Sequence, residues 1–344
     1  MNRGDDERDG VALTNLDQPL FDGAGVTKRQ LVDYLDAVAD RLVPVLAGRA
    51  LSVIRARPGQ APFMQKNLPR TAPPWLARVP LWAETSQRTV TYGCVNDRRS
   101  LLWFANQRAV EYHPTLVHSD HPHHLTHLVI DLDPPEGRPF AEVVAAARLA
   151  RRALQDVGLD AAVKTSGAKG LHLFVPVAPA DDGAAAPADD GAAEHDPWRA
   201  MEDAAGALRA IAARIERLDP DRVTTAFLKD DRAGKVFVDA TRVGGATVVA
   251  AYSPRARPGV PVSYPLAWDE LDDIEPGRFT VTTAIEHLAG RDPWLDTMPA
   301  PQTIPAVLVE EGRSIPVPRV AAMHEGKRRR RAARAKDDAG SDGT

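Results

Sequence analysis

Between residues 27 and 46, Leu31, Leu35, Val38, Leu42 and Val45 recur at spacings of three and four, which predicts an amphipathic helix. Thr27 is its N-cap, with Gln30 three residues on completing a capping box. Short apolar runs predict strands at 51–55, 89–95 and 101–105, the last two joined by a polar turn. The stretch 63–75, with Lys66 and Arg70, reads as a proline-interrupted basic loop. Farther on, 125–132 predicts a strand ending in an acidic cluster, and 140–157 a helix stopped by Gly158. Strands at 161–165 and 171–177 flank a glycine turn at 166–170. A second long helix is expected at 198–218 and strands at 235–239 and 247–252. A proline-punctuated basic loop follows at 255–262, then late helices at 266–271 and 281–288. This alternation places the chain in the α/β (α+β) class.

Segments without periodicity mark the margins. Residues 1–12 read as a disordered polar tail, and 320–344 as a basic, then acidic, tail. The octapeptide APADDGAA at 178–185 is repeated unchanged at 186–193. Such a repeat cannot build a core, so 178–197 reads as a solvated surface insertion.

At 344 residues, 44% of them hydrophobic, the chain is one large or two fused modules with a sizeable core. No run approaches the roughly 18 apolar residues that span a bilayer, and the polar start is no signal peptide, so a cytoplasmic protein is expected. Cys94 is the only cysteine, which excludes an intrachain disulfide and a thiolate zinc site. The formal net charge of −4 gives no global attraction to nucleic acid, so any phosphate-binding surface must be a local patch. Seven basic residues between Lys327 and Lys336 either hold DNA or a partner, or form a disordered solubilising end.

The acidic cluster is the first candidate for chemistry. In His127-Leu-Val-Ile-Asp131-Leu-Asp133-Pro-Pro135, side chains two apart share a strand face, so Asp131 and Asp133 point the same way, roughly 6–7 Å apart. A second apolar run, Lys235-Val-Phe-Val-Asp239, also ends in an Asp. Three carboxylates at strand ends suit two hard cations roughly 3.5–4 Å apart, the arrangement of two-metal phosphoryl transfer. The alternative for the pair is a solvated strand end.

Anion-binding groups lie nearby in the chain. In the turn 165–172, Gly167 and Gly170 free backbone N–H groups, Ser166 adds a hydroxyl, and Lys169 and His172 add further donors. An ordinary hairpin turn is the alternative, and the spacing is not that of a Walker A loop. Arg255 and Arg257 stand at alternate positions between prolines, where guanidinium forks grip phosphate bidentately unless they are simply solvated. Lys229, Arg232 and Lys235 add positive charge before Asp239.

In order along the chain, several of these segments resemble the polymerase domain of the bacterial non-homologous end-joining ligase, ligase D, of the archaeo-eukaryotic primase superfamily. They are Gln65-Lys66-Asn67-Leu68-Pro69, Ala105-Asn106-Gln107, Val110-Glu-Tyr-His113, Asp131-Leu-Asp133-Pro134, Ser166 through His172, Arg232 through Asp239, and Tyr252 through Gly259. The likeness runs from about residue 14 to 288. It implies a primase-type catalytic core at 111–310, with mixed or antiparallel sheets flanked by helices, and an N-terminal module at 13–110. It also implies template-directed addition of NTPs or dNTPs, often ribonucleotides, to primer 3′ ends with two Mn²⁺ or Mg²⁺ ions. On this resemblance Asp131, Asp133 and Asp239 are the catalytic metal ligands. Ser166, Lys169, His172, Lys235, Arg255 and Arg257 hold the nucleotide, and Lys66, Asn67 and Arg70 meet DNA, including a 5′ phosphate. Asn106 and His113 match further functional positions without an assigned role. The partners implied are gapped, 5′-phosphorylated or broken DNA, with a separate ligase and Ku, for a monomeric, nucleoid-associated enzyme.

The chain departs from the family pattern in places. Ala240 and Val243 stand where an aromatic residue and an Asn are usual, and that segment is one residue shorter. Ala251 replaces a usual Pro, Gln18 a common Lys, and 113–127 is short. No ligase or nuclease module is expected within 344 residues, so a free-standing primase-polymerase of gap filling or end joining is the leading expectation. The alternative is a catalytically weak DNA-end-binding or bridging module.

Overall fold

The computed structural model describes residues 6–83, 87–178, 197–243 and 246–317. The expected insertion at 178–197 and the tail at 320–344 therefore lie almost wholly outside the described residues. Of the expected disordered start at 1–12, residues 1–5 lie outside the described residues, and from Asp6 the chain forms a hairpin of β1 (Asp6–Arg8) and β2 (Val11–Leu13). Asp9 and Gly10 both take positive φ, the geometry a two-residue hairpin turn needs. Val11 and Leu13 are buried, while Arg8 pairs with Asp33 and Asp36 of the first helix. Strands of three residues are too short to show a period, which is why the pattern hid them.

The helix expected at 27–46 is divided at Val38 into α1 (Lys28–Ala37) and α2 (Ala39–Leu46). Thr27 and Gln30 form the predicted capping box, and Leu31, Leu35, Val38 and Leu42 are buried. Pro44 supplies no N–H to the turn before it and crowds that turn, and the division falls just upstream.

An antiparallel sheet follows, in the order β4 (Gln60–Gln65), β3 (Leu51–Arg57), β6 (Arg88–Gly93), β5 (Arg78–Ala83), with β7 (Ala109–Pro114) also paired to β3. The basic loop expected from 63 thus begins as strand β4, and β5 and β7 were not anticipated. The strand expected at 101–105 is the helix α3 (Arg98–Asn106). Its apolar run resembles a buried strand, but Asp97 and Ser100 cap it reciprocally, and a capped helix buries Leu101, Leu102, Phe104 and Ala105 on one broad face.

The second sheet is mixed, in the order β11 (Val223–Thr224), β12 (Val236–Asp239), β8 (His127–Asp133), β10 (Leu171–Pro176), β9 (Ala162–Thr165), β13 (Pro265–Leu266). Only β11 and β12 run parallel. The long helices α4 (Phe140–Gln155) and α5 (Pro197–Leu218) pack on this sheet, close to their expected bounds. Leu128, Ile130, Leu132, Leu171, Leu173, Val163 and Val238 are buried in the core they share.

Three late expectations change. Residues 247–252 form no strand: Val248 and Ala250 donate to the β7 carbonyls of Pro114 and Tyr112, and the segment ends in a turn at the positive-φ Tyr252. The helix expected at 266–271 resolves into β13 and a 3-10 turn at Glu270–Asp273, and that at 281–288 shortens to α6 (Ala284–Leu288). Pairing with β9 claims Pro265 and Leu266 first, so tertiary contact overrides a weak local pattern. Two further helices, α7 (Pro293–Thr297) and α8 (Ala306–Ser314), complete the body.

Candidate active site

Strand register builds the site. Asp131 on β8 pairs directly with Asp239 on β12 and, on its other side, with His172 on β10. His172 in turn pairs with Lys164 on β9. Cross-strand partners share a sheet face, so Asp239, Asp131, His172 and Lys164 form one polar row across four strands, on the face turned away from Leu132 and Val238. Asp133 lies two residues along β8 on that same face, opposite Phe237. Spatial convergence of Asp239 with the Asp-x-Asp pair, which spacing alone left open, is thus set by the β8–β12 pairing.

Charge is held differently at each carboxylate. Burial opposes ionisation of Asp131, but His172, Arg242 and Lys164 outweigh it and keep its pKa below the ordinary carboxylate value. Asp133 side-chain atoms reach solvent at the strand end. Partial withdrawal from water, with repulsion from Asp131 and Asp239, nevertheless raises its pKa to about 6. Asp239 Oδ1 accepts from the Thr241 N–H and hydroxyl, at 2.9 and 2.6 Å. Arg242 spans the pair, with Nε 3.3 Å from Asp239 Oδ2 and Nη2 3.7 Å from Asp131 Oδ2, and so offsets their repulsion.

The three carboxylates fit hard cations by their chemistry, being oxygen donors on one face. Asp131 Oδ1 is buried with no well-aligned hydrogen bond, His172 Nε2 standing 3.2 Å away, and so keeps acceptor capacity of the kind a cation satisfies. Among the described residues no three His, Cys, Asp or Glu side chains already stand around a single point. Mutual repulsion and the intervening Arg242 account for the open arrangement.

The glycine turn sits against this row. Ser166 Oγ accepts from the Ala168 and Gly170 N–H groups at 3.2 and 3.1 Å, which closes the turn. At Gly170 a Cβ would collide with the Leu132 carbonyl of β8, so only glycine lets the turn abut the carboxylate strand. Gly167 takes positive φ, and a Cβ there would lie 2.6 Å from Arg255 Cγ. Arg255 donates to the Ser166 carbonyl and pairs through Nε with Glu111 at 3.0 Å. Glu111 also receives His113 Nε2 at 2.8 Å and the Ala256 N–H at 2.9 Å. Burial works against its charge, but those partners hold its pKa down at about 2.

The remaining expected residues disperse. Lys169 pairs with Glu136 at 3.2 Å, both exposed, and Arg257 is exposed on the loop after Arg255. Lys235 stands at the other end of β12, about 13 Å along the strand from Asp239, and donates to the Pro220 carbonyl at 2.7 Å. Lys66 and Arg70 are exposed beside β4, while the Asn67 side chain accepts from the Thr91 N–H and pins their loop to β6. Asn106 belongs to another cluster, where it accepts from the buried Lys28 at 2.6 Å and from Thr14, and donates to the Ala12 carbonyl.

Lys164, Glu111, Arg242 and Ser263 were not singled out from sequence. Lys164 left a faint trace, a lone cation inside an otherwise apolar strand pattern. Glu111 lay within a quoted motif, and Arg242 and Ser263 gave no local signal.

Comparison with known proteins shows the family. The family model described as "LigD, primase-polymerase domain" matches residues 27–294. The multifunctional non-homologous end joining protein LigD of Mycobacterium bovis is 35% identical over 274 residues, covering 76% of this chain and 34% of that protein. The bifunctional LigD of Bacillus subtilis is 30% identical over 302 residues, covering 86% of this chain and 45% of that protein. The chain thus spans about a third to under a half of the length of these relatives. Among solved structures, the polymerase domain of Mycobacterium tuberculosis Ligase D in complex with DNA superposes with a TM-score of 0.69 at 32% identity, covering 83% of this chain and 96% of that one.

Proposed function

The chain belongs to the LigD primase-polymerase domain family, a family of nucleotidyltransferases, and from that premise we propose that it extends primer 3′ ends at gaps or double-strand break ends by two-metal phosphoryl transfer. The observation that carries this reading is the register of Asp239, Asp131 and His172 across β12, β8 and β10, with Asp133 on the same face. Asp131, Asp133 and Asp239 would hold the two divalent ions, Mn²⁺ or Mg²⁺. When bound, such ions lower the pKa of an attacking hydroxyl and neutralise a triphosphate.

The other groups bind and orient. The Ser166 hydroxyl of the glycine turn and His172 Nε2, 3.2 Å from Asp131 Oδ1, would contact the triphosphate. Arg255, braced by Glu111, and the exposed Arg257 extend this anion-binding rim, with Lys169 at its edge. Lys66 and Arg70 are exposed in the loop after β4 and suit DNA phosphates, which makes binding salt-sensitive. NTPs are proposed as substrates alongside dNTPs, gapped or 5′-phosphorylated DNA as the partner, and a ligase and Ku as its companions in repair.

The test is extension of gapped, 5′-phosphorylated and blunt primer-templates with NTPs and dNTPs, in Mn²⁺ and in Mg²⁺. Asp131→Ala and Asp239→Ala are each expected to lower extension by at least about 10³-fold, the loss of a charge clamp made in the transition state. Full extension by either variant sinks the assignment. DNA binding without extension under any metal would leave an end-binding module instead.

A further inference from the structure

Lys164 is fully buried on β9, in register with His172. Its Nζ lies 2.9 Å from His172 Nδ1 and 2.6 Å from Ser263 Oγ. The donors and acceptors here have one consistent assignment. The Ser263 hydroxyl donates to the Thr165 carbonyl at 2.8 Å, so its oxygen is left to accept from Lys164. At the other end of the cluster, His172 Nε2 stands 3.2 Å from Asp131 Oδ1. A carboxylate offers only lone pairs. An unprotonated Nε2 would face one of them, so Nε2 carries the proton and Nδ1 accepts from Lys164.

We propose that Lys164 is a positioning residue for the nucleotide, which fixes His172 in its Nε2–H form and aims that proton into the carboxylate site. A backbone carbonyl at Nδ1, a common partner of imidazole, would place the proton on Nδ1 instead. Lysine donates, and sets the opposite tautomer. The imidazole proton faces Asp131 Oδ1 at 3.2 Å without forming a well-aligned hydrogen bond, so an anionic ligand oxygen at the carboxylate site can share it. The Phe174 ring, 5.4 Å from Lys164 Nζ, closes the cluster from one side and keeps the amine on its two acceptors. This role rests on the reading of His172 as a triphosphate contact.

Long-range ¹H–¹⁵N correlation spectra of the histidine-labelled full chain judge the tautomer directly. The unsubstituted protein should show His172 protonated on Nε2; a proton on Nδ1 overturns the proposal. In Lys164→Met the resonances should move toward a mixture of tautomers. The KM for NTP should rise about tenfold with kcat within about twofold, the loss of one hydrogen bond to a charged ligand. Ser263→Ala removes the second anchor of Lys164, together with the bond to the Thr165 carbonyl, and should shift the same signals in the same direction by less, so the assignment does not depend on the larger substitution folding. Unshifted resonances in both variants overturn the tautomer lock. A shifted tautomer with unchanged KM instead overturns the triphosphate reading of His172 and the positioning role with it.

Discussion

Gly170 illustrates how far one atom can set a site. Its missing Cβ admits the Leu132 carbonyl, and with it the whole 166–170 turn, against the end of β8. Gly170→Ala is expected to push the turn outward and lower primer extension by at least about tenfold, since small misplacements of binding groups cost heavily. Steady-state kinetics on a gapped substrate check this. Glu111 gives a second residue-level expectation. Its pKa falls from an ordinary 4.5 to about 2, so the folded state releases the proton more readily than the unfolded chain. The resulting stabilisation is fully present above pH 4.5 and is lost as pH falls through 2. Glu111→Gln should therefore cost on the order of 1–3 kcal/mol in urea titrations at pH 7, and the gap between variant and parent should narrow toward pH 3. The first residue was within reach of the sequence and the role of the second was not. Gly170 is visible as a glycine in a turn between strands. The partner that makes Glu111 matter, Arg255, is distant in sequence and adjacent only after folding.

At the scale of elements, the long helices and the apolar runs bounded by turn signals were legible, and the three-residue strands were not. The helices α4 and α5 lie where their period put them, and the strands β8, β9, β10 and β12 where apolar runs between turn residues put them. The run Leu101-Leu-Trp-Phe-Ala105 was ambiguous, since a buried strand and a buried helix both read as continuous apolar residues. The cap decided it: the Asp97 side chain accepts from the Ser100 N–H at 2.7 Å and from its hydroxyl at 2.7 Å. Asp97→Ala is expected to cost about 1 kcal/mol of stability, the usual worth of an N-cap. Chemical denaturation should register it as a lower midpoint with an unchanged slope; an unaffected midpoint would mean that packing alone holds α3. The close crossing of α5 and α8 belongs to this scale too. Gly206 and Gly312 meet there backbone to backbone, with no room for a Cβ at Gly312, an approach that no local pattern announces.

For the molecule as a whole, buried histidines give stability a direction with pH. Burial, with Arg49 and His118 close by, lowers His127 to about 3, and burial with the neighbouring Lys164 lowers His172 to about 4. Both are neutral in the fold, whereas the unfolded chain protonates them near the ordinary value of 6.5. Stability is therefore complete above pH 6.5 and declines as pH falls toward 4, approaching about 1.4 kcal/mol per pH unit for each histidine. Thermal midpoints at pH 7.5 and 5.0 should differ accordingly, and His127→Gln should shrink that difference; an equal drop in the variant would assign the effect elsewhere. The sequence by itself determined the family and singled out Asp131, Asp133 and Asp239, the glycine turn and Arg255 as the candidates for its chemistry, because residue type, two-residue alternation and motif order survive without coordinates. Only the tertiary structure decided that Asp239, Asp131, His172 and Lys164 fall into one row, that Lys235 and Asn106 stand apart from it, and that Arg242 spans the acids. Register between strands far apart in the chain is fixed by how two sheets and their covering helices bury apolar faces together, and that choice leaves no mark on any one segment.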